Sequence, residues 1–338
     1  MLKIWAATVL LMTLSAVGGA PLYAGDVNAA YYWGVGSPEA VPASEILFFA
    51  GEATFSGKQL SFSAVNLPER FPAAATLSAV LRFSQPVLVA LLSDRQNAAQ
   101  HVETILDRAT LMSARLGRTI DLQIDGDCSQ DQIDDYLSFI RLLERSYENK
   151  VSLTAVASWL APSVIEKTRQ SGLCVYYMLY TMHPSQTLSA WQGELPLVAW
   201  DRAISRLRSA VDARLIRKDN ALIVLPCYTL VTLYDHQGRR MWRGSEDDWL
   251  RRALAGNSAA LSPSELRRRE AFGSISSWTV LRSGKYGPHI VRAGSTVIRE
   301  VFGLSDWQEA ASHIEKISAD LGVGLFHCGG VGTTGPTP

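Results

Sequence analysis

The stretch LQIDGDCSQDQ, residues 122 to 132, begins as a strand whose two sides differ in chemistry. Neighbouring residues of a strand point to opposite faces of the sheet. The polar side holds Gln123, Asp125 and Asp127, and the other side holds Leu122, Ile124 and Gly126. Such a polar side belongs either to a solvated sheet edge or to the floor of an active site. The organisation of the remaining chain decides between these two interpretations.

Short apolar, β-rich runs recur along the chain with helical stretches between them. They lie near residues 29–35, 44–53, 86–93, 119–127, 150–159, 173–182, 221–230 and 323–330. Amphipathic patterns between them, such as residues 97–117, predict helices. Strands that alternate with helices indicate a parallel sheet of βαβ units. Eight such steps predict an α/β fold, a (β/α)₈ TIM-like barrel. A doubly wound open sheet is the alternative, but neither GxGxxG nor GxxxxGK[ST] follows the first strand.

Two segments are longer than a single connection between successive strands requires. Residues 54–85 predict extra turns and a short hairpin, and residues 231–304 predict an insertion between strands seven and eight with its own hairpin. The barrel domain is then expected to span residues 25–328. The Gly-rich end, residues 329–338, is expected to be a flexible tail.

The N-terminus has the pattern of a signal peptide, expected to span residues 1–24. Lys3 precedes an apolar run from Ile4 to about Val17, and small residues up to Ala24 follow. The protein is therefore expected to be exported, either periplasmic or secreted. An uncleaved segment that anchors it in a membrane is the alternative.

The charge and cysteine content narrow the function classes. The 338 residues are 47% hydrophobic and 19% charged, and the formal net charge is zero, so no basic excess favours nucleic acid. Cys128, Cys174, Cys227 and Cys328 lack CxxC spacing, so no zinc site is predicted. No other metal or cofactor is expected. A disulfide between Cys227 and Cys328 remains open.

In a TIM barrel alternate strand residues point inward, and sites form at the carboxyl ends of the strands. Gln123, Asp125 and Asp127 are then expected to rise through the interior toward that end. Crowded carboxylates repel each other, which raises a pKa toward the range that a general acid needs. Glu52, at the end of the second strand, is either a second carboxylate across the mouth or a solvated loop residue.

The order of motifs resembles the chitinase family of glycoside-hydrolase TIM barrels. That family's D-x-D-x-E on strand four corresponds to Gln123, Asp125 and Asp127, so the first Asp is replaced by Gln and the final Glu by Asp. Its Met-x-Tyr on strand six corresponds to Met178 and Tyr180, followed here by Thr181 instead of Asp. Its Pro-x-Tyr on strand seven corresponds to Pro226 and Tyr228.

The chain also resembles an uncharacterised bacterial family of exported, glycosidase-like barrels, a domain of unknown function. The matching segments are Tyr31 to Trp33, Glu52, Gln123 to Cys128 and Ser158 to Leu160, within residues 28–230. This resemblance implies the fold but no particular reaction.

Four aromatic residues are candidates for binding a sugar. Tyr180 and Tyr228 have hydroxyls that donate hydrogen bonds, and Trp33 and Trp159 have faces on which a sugar stacks. Packing in the core is the alternative for all four.

These patterns support three hypotheses. The first is an exported glycosidase in which Asp127 is the general acid, Asp125 orients it, and Glu52 or the substrate's own N-acyl group completes the chemistry. The second is a carbohydrate-binding protein on a barrel that has lost catalysis. The third is an assembly protein of the cell envelope that contacts its partner through residues 231–304.

Overall fold

A computed structural model describes most of the chain. It covers residues 27–33, 43–57, 59–68, 70–126, 128–179, 187–189, 200–217, 219–245, 261–268, 274–286 and 289–328. The predicted signal peptide and the predicted tail lie outside these residues. In the part of the chain that is described, no helix combines the length and the apolar character needed to cross a membrane.

The central feature is a closed barrel of eight parallel strands. Its strands, in order, are β1 (Val27–Tyr32), β2 (Ala43–Ser56), β4 (Thr76–Phe83), β5 (Asp121–Gly126), β6 (Val151–Val156), β7 (Cys174–Met178), β8 (Ala221–Tyr234) and β15 (Gly322–Cys328). Each pairs in parallel with the next, and β15 pairs with β1 to close the ring. The predicted TIM barrel is therefore confirmed, and the open sheet is excluded.

Helices connect most of these strands and cover the barrel. They are α1 (Gln85–Ser93), α2 (Ala98–Leu116), α3 (Ile133–Ser146), α4 (Pro162–Ser171), α5 (Trp200–Asp212) and α6 (Leu304–Ile317). The buried side of α3 shows why: Ile133, Tyr136, Ile140 and Leu143 recur at helical spacing and are fully buried. Gly117 ends α2 in the left-handed conformation, with φ of 61°.

The third barrel strand does not lie where the sequence predicted it. The run at 86–93 belongs to α1, and the strand is β4, inside the segment 54–85 that was expected to hold extra turns and a short hairpin. A short apolar run does not distinguish a strand from a buried helix by its periodicity. Pro86 in the first turn of α1 fits a helix start, since its missing N–H has no partner there in any case.

Between β2 and β4 the described chain has a hairpin and an extended connection instead of a helix. The end of β2 pairs with β3 (Gln59–Phe62), as the predicted hairpin required. Residues 63–68 and 70–75, which we call the strap, then run alongside α2. Arg108 donates to the carbonyl of Ser63 at 2.8 Å, and Arg118 donates to the carbonyls of Pro72, Ala73 and Ala75. Two arginines therefore hold both ends of the strap.

The insertion between the seventh and eighth barrel strands is built around β8, which continues beyond the barrel's carboxyl end. Its last residues join an antiparallel sheet with β9 (Arg240–Ser245), β10 (Leu261–Arg268), β11 (Ser274–Val280) and β14 (Thr296–Val301). A hairpin of β12 (Gly284–Tyr286) and β13 (His289–Val291) accompanies it. Val231, Leu233, Val280, Val291 and Val297 form a separate small core there. The insertion sheet thus stands beside the mouth of the barrel.

The amino-terminal layer of the barrel interior is polar. Glu45 on β2 accepts a hydrogen bond from Tyr176 on β7 at 2.6 Å, which spans the barrel from its second to its sixth strand. Glu45 also accepts a hydrogen bond from Ser78 on β4. The Lys150 ammonium lies 3.4 Å from the Tyr176 hydroxyl. Buried polar groups need partners of this kind, and these bonds supply them within the layer.

Candidate functional site

Gln123 lies in the interior of the barrel, above this layer, and is completely buried. Its Oε1 accepts a hydrogen bond from the Tyr31 hydroxyl at 2.6 Å, and its Nε2 donates to Ser152 Oγ at 3.3 Å. Tyr31 is on β1 and Ser152 is on β6. The two bonds fix the orientation of the amide between strands on either side of it.

Asp125 is the next inward-pointing residue of β5 and is half-buried. Its Oδ1 accepts a hydrogen bond from the Thr154 hydroxyl of β6 at 2.6 Å. Burial raises the pKa of Tyr31 well above its ordinary range, and the nearby negative charges of Asp125 and Glu45 raise it further. Tyr31 therefore stays protonated and acts as a donor toward Gln123. The predicted inward direction of Gln123 and Asp125 matches these contacts.

Glu52 owes its position to a β-bulge in β2. The pairing with β4 shifts between Phe49 and Gly51, so that Glu52 pairs with Arg82. Gly51 has a φ of 144°, a conformation essentially restricted to glycine. A Cβ at Gly51 would lie 3.2 Å from the Arg108 guanidinium on the outer side. Glu52 therefore points to the inner side, at the carboxyl end of the strand, where its side chain is exposed.

Arg82 is a site residue that the sequence reasoning missed. The register pairs it with Glu52 on one side and with Asp125 on the other, so the three occupy neighbouring positions on β2, β4 and β5. Paired positions of neighbouring strands present their side chains on the same face. The register thus places an arginine position between the positions of two carboxylates, and the three side chains form no ion pair with one another. The alternation of Ser78, Val80 and Arg82 within β4 would have revealed it, had that strand been recognised.

An aromatic cluster lines the mouth beside β1. Trp33 is half-buried and stacks on Phe49, with ring centroids 4.8 Å apart and planes 25° apart. Phe326 packs edge-on against Trp33 at 5.8 Å. The indole Nε1 of Trp33 is buried and has no acceptor among the described residues. Phe49 and Phe326 were not predicted as site residues, because single apolar residues of a strand resemble core.

Trp159 has a different place from the one proposed for a sugar-stacking residue. It is 1% exposed, packs edge-on against Tyr136 at 6.0 Å, and donates from Nε1 to the carbonyl of Cys128 at 3.1 Å. Its faces are covered by the helical layer, so the packing alternative describes it. The bond to Cys128 joins the segments that follow β5 and β6, directly beside position 127.

Three other predicted site groups cannot be placed. Asp127 and Tyr180 lie outside the described residues, as does the side chain of Tyr228. The backbone of Tyr228 is in β8, paired with Cys328.

The thiols that the structure describes are free and buried or partly buried. Burial raises the pKa of Cys128 and of Cys227 to about 12, so both remain protonated at neutral pH. Cys227 pairs in register with His327 and not with Cys328. Among the described residues no three His, Cys, Asp or Glu side chains are grouped as a metal site would require.

Comparisons with known proteins agree with the fold. No protein-family model and no curated protein matches the chain. Several solved structures do. The C-terminal domain of a "putative chitinase" from Desulfitobacterium hafniense DCB-2 aligns with a TM-score of 0.56 at 11% identity, covering 89% of this chain and 93% of that one. A glycoside hydrolase family 18 N-acetylglucosaminidase from Paenibacillus barengoltzii aligns with a TM-score of 0.52 at 12% identity, covering 89% and 94%.

A class V chitinase from Nicotiana tobaccum, whose mutant was solved in complex with NAG4, has a TM-score of 0.52 at 11% identity, covering 89% and 93%. At these identities the likeness shows the class of fold alone, which is a TIM barrel.

Proposed function

We propose that this protein is exported and acts on, or binds, a carbohydrate at the carboxyl end of its barrel. The observation that carries the proposal is the interior placement of Asp125, which is hydrogen-bonded to Thr154 and paired in register with Arg82, whose other register partner is Glu52. The similar solved structures include chitinases, which supports a sugar as the ligand.

In the catalytic form of this proposal, Asp127 is the general acid that protonates the glycosidic oxygen. Asp125, two residues earlier, is held by Thr154 and orients Asp127 through its negative charge. Glu52 or the substrate's N-acyl group then stabilises the positive charge that develops on the sugar ring. The positive charge of Arg82 offsets part of the negative charge of the carboxylates. The mouth then does not repel a substrate that carries an acidic substituent.

The aromatic cluster supplies the binding surface. The Trp33 indole, supported by Phe49 and Phe326, offers one face to a sugar ring and a buried N–H without an acceptor among the described residues. Tyr180 and Tyr228 are the proposed hydroxyl donors. Gln123 is held by Tyr31 and Ser152 and supports the floor beneath Asp125.

A second candidate is a carbohydrate-binding protein without turnover. It is favoured by Gln123 and Asp127, which stand where the chitinase pattern has Asp and Glu. Gln123 has no ionisable proton to exchange with Asp125, and Asp127 has a shorter reach than Glu. A third candidate is an envelope protein that contacts its partner through residues 231–304, and the separate core of that insertion supports it.

We also propose that the chain belongs to the uncharacterised family of exported barrels, on the segments that resemble it: Tyr31 to Trp33, Glu52, Gln123 to Cys128 and Ser158 to Leu160.

One experiment separates the first two candidates. Wild-type protein, Asp127→Asn and the control Asp131→Asn, which changes an exposed acid of the next turn, are tested on a glycan array and on a panel of aryl-glycosides. Turnover by the wild type and the control, but not by Asp127→Asn, supports the catalytic form. Binding by all three without turnover supports the second candidate. Neither binding nor turnover by the wild type would leave the carbohydrate proposal without support.

A further inference from the structure

A second cavity lies on the outside of the barrel, at the end opposite to the mouth. It is a cleft open to solvent, with a volume of about 610 Å³, and is lined by the strap, the end of α2 and the start of β4. Its apolar lining is formed by Leu67, Phe71, Leu77 and Leu116. This volume is in the range of small-molecule sites, which combine an apolar lining with a few polar groups.

The polar groups of this cavity are three arginines. Arg70 comes from the strap, Arg115 from the last turn of α2, and Arg118 follows that helix. Among the described residues none of the three forms an ion pair with a carboxylate. Glu148 lines an adjoining cavity that also contains Arg118, but it forms no ion pair with it. The charged side chains among the described residues that line the cavity are therefore these three cations.

The end of α2 offsets only part of this charge. The dipole of the helix places the equivalent of roughly −0.5 of an elementary charge at this end, against three full positive charges. A fourth cation is close, because the charge of Arg115 adds to burial in lowering the pKa of the Arg108 guanidinium. The described side chains at this cavity therefore contribute an excess of positive charge, although the whole chain is neutral.

Only one of the three arginines has a structural role visible in its contacts. Arg118 donates both of its Nη groups to carbonyls of the strap. Arg70 and Arg115 are exposed and make no side-chain hydrogen bond to any described residue. Each presents a planar fork of donors that matches the two oxygens of a carboxylate or phosphate.

We propose that the cavity between the strap and α2 binds a small amphiphilic anion, a carboxylate or phosphate monoester attached to an apolar body. Arg70 and Arg115 clamp the acidic group, and Leu67, Phe71 and Leu116 cover the apolar body. The site is separate from the proposed carbohydrate site, so the two succeed or fail independently.

Isothermal titration of the full chain with octyl phosphate, below its micelle concentration, tests this inference. We expect one molecule to bind per chain. Arg70→Gln and Arg115→Gln should each weaken binding about tenfold or more, since each removes charge-assisted hydrogen bonds to the acidic group. The control Arg95→Gln removes an exposed arginine that pairs with Asp135 elsewhere, and it should bind like the wild type. Arg118→Gln is avoided because it releases the strap.

Three further probes complete the test. Octyl glucoside has the same chain without the charge, and inorganic phosphate has the charge without the chain, so both should bind at least tenfold more weakly. Sedimentation with phosphatidylglycerol vesicles, compared with phosphatidylcholine vesicles, tests whether the bound anion is a soluble acid or a lipid headgroup. Octyl phosphate binding alone indicates a soluble acid, and added binding to the anionic vesicles indicates a lipid headgroup. Absence of octyl phosphate binding, or equal affinity in both arginine variants with unchanged melting temperature, would overturn the proposal.

Discussion

Tyr31 and Gln123 are joined across the barrel interior by a hydrogen bond of 2.6 Å, between residues 92 positions apart in the chain. The first and fourth barrel strands are therefore connected directly, through side chains and not only through the sheet. Both residues are buried, so neither has water as a substitute partner.

This bond predicts a measurable coupling. Tyr31→Phe leaves Gln123 Oε1 without its donor, and Gln123→Leu leaves the buried Tyr31 hydroxyl without its acceptor. Each should lower the free energy of unfolding by roughly 1–3 kcal/mol. The double variant should cost about 0.5–2 kcal/mol less than the sum, because both unsatisfied groups are then gone. Urea unfolding of the four proteins measures this, and strict additivity would contradict the bond.

The bulge at Gly51 predicts a position-specific cost for an added methyl group. Gly51→Ala should destabilise the fold by about 1–3 kcal/mol, because φ of 144° is unfavourable for alanine and the new Cβ crowds Arg108 and the Ser63 carbonyl. The matched control is Gly57→Ala in the β2–β3 turn, where φ is 64° and the Cβ meets open space. It should cost only about 1 kcal/mol.

Thermal unfolding of both glycine variants provides the comparison. If catalysis is found, Gly51→Ala should also lower turnover at temperatures where the protein remains folded, because Glu52 moves with the bulge. Equal melting temperatures for the two variants would show that the bulge is not under constraint.

Buried tyrosines predict the alkaline limit of stability. Burial raises the pKa of Tyr177 to about 12 and raises those of Tyr31 and Tyr176 above their ordinary range. In the unfolded chain these groups ionise near pH 10, so the folded state keeps protons that the unfolded state has lost. Their contribution to stability is fully present below pH 10 and is lost progressively as pH rises above it.

Ultraviolet absorbance of tyrosinate should therefore rise together with unfolding followed by circular dichroism. Tyr177→Phe should make the loss of stability above pH 10 less steep than in the wild type. Ionisation of all eleven tyrosines while the fold remains intact would contradict the burial of these three.

The pair Asp125 and Asp127 predicts how rate and affinity separate. Asp127→Asn should lower the turnover of an identified substrate by about 10²–10⁴, the usual range for loss of a general acid. Glycan affinity should change much less, because the amide still forms hydrogen bonds. Wild-type turnover in Asp127→Asn would rule out this role.

The bond from Thr154 to Asp125 predicts a smaller effect of a related kind. Asp125→Asn should lower the rate and shift the acid limb of the pH profile, because the charge beside Asp127 disappears. Thr154→Val keeps that charge but removes the donor to Asp125 Oδ1. Thr154→Val should therefore lower the rate without the shift of the acid limb that is expected for Asp125→Asn. Identical pH profiles for the two variants would contradict this distinction.

The barrel was predictable from the sequence because its strands alternate with amphipathic helices, and because β5 carries its polar residues on one side. Gln123 and Asp125 were predictable as inward residues for the same reason. The β4 strand was not, because its own mixed pattern is weaker than the apolar run of α1 that follows it. Missing β4 also meant missing Arg82.

Contacts between distant strands limited the rest of the site. Nothing local indicates that Glu45 meets Tyr176, 131 positions later, or that Phe49 and Phe326 enclose Trp33. The bulge at Gly51 depends on the pairing of β2 with β4, which the sequence of β2 alone does not specify. Trp159 was assigned to sugar stacking by its aromatic character, but its indole N–H is used by the carbonyl of Cys128.

The 14-residue strand β8 belongs to two sheets without interruption. Its first part pairs in parallel with β7 and β15, and its last part pairs antiparallel with β14 and β9. The strand therefore couples the two sheets rigidly. A rotation of the insertion relative to the barrel would have to bend β8 and break ladder hydrogen bonds in both sheets. If a partner bound to the insertion and displaced it, the displacement would be transmitted along β8 directly to the neighbouring strands of the barrel.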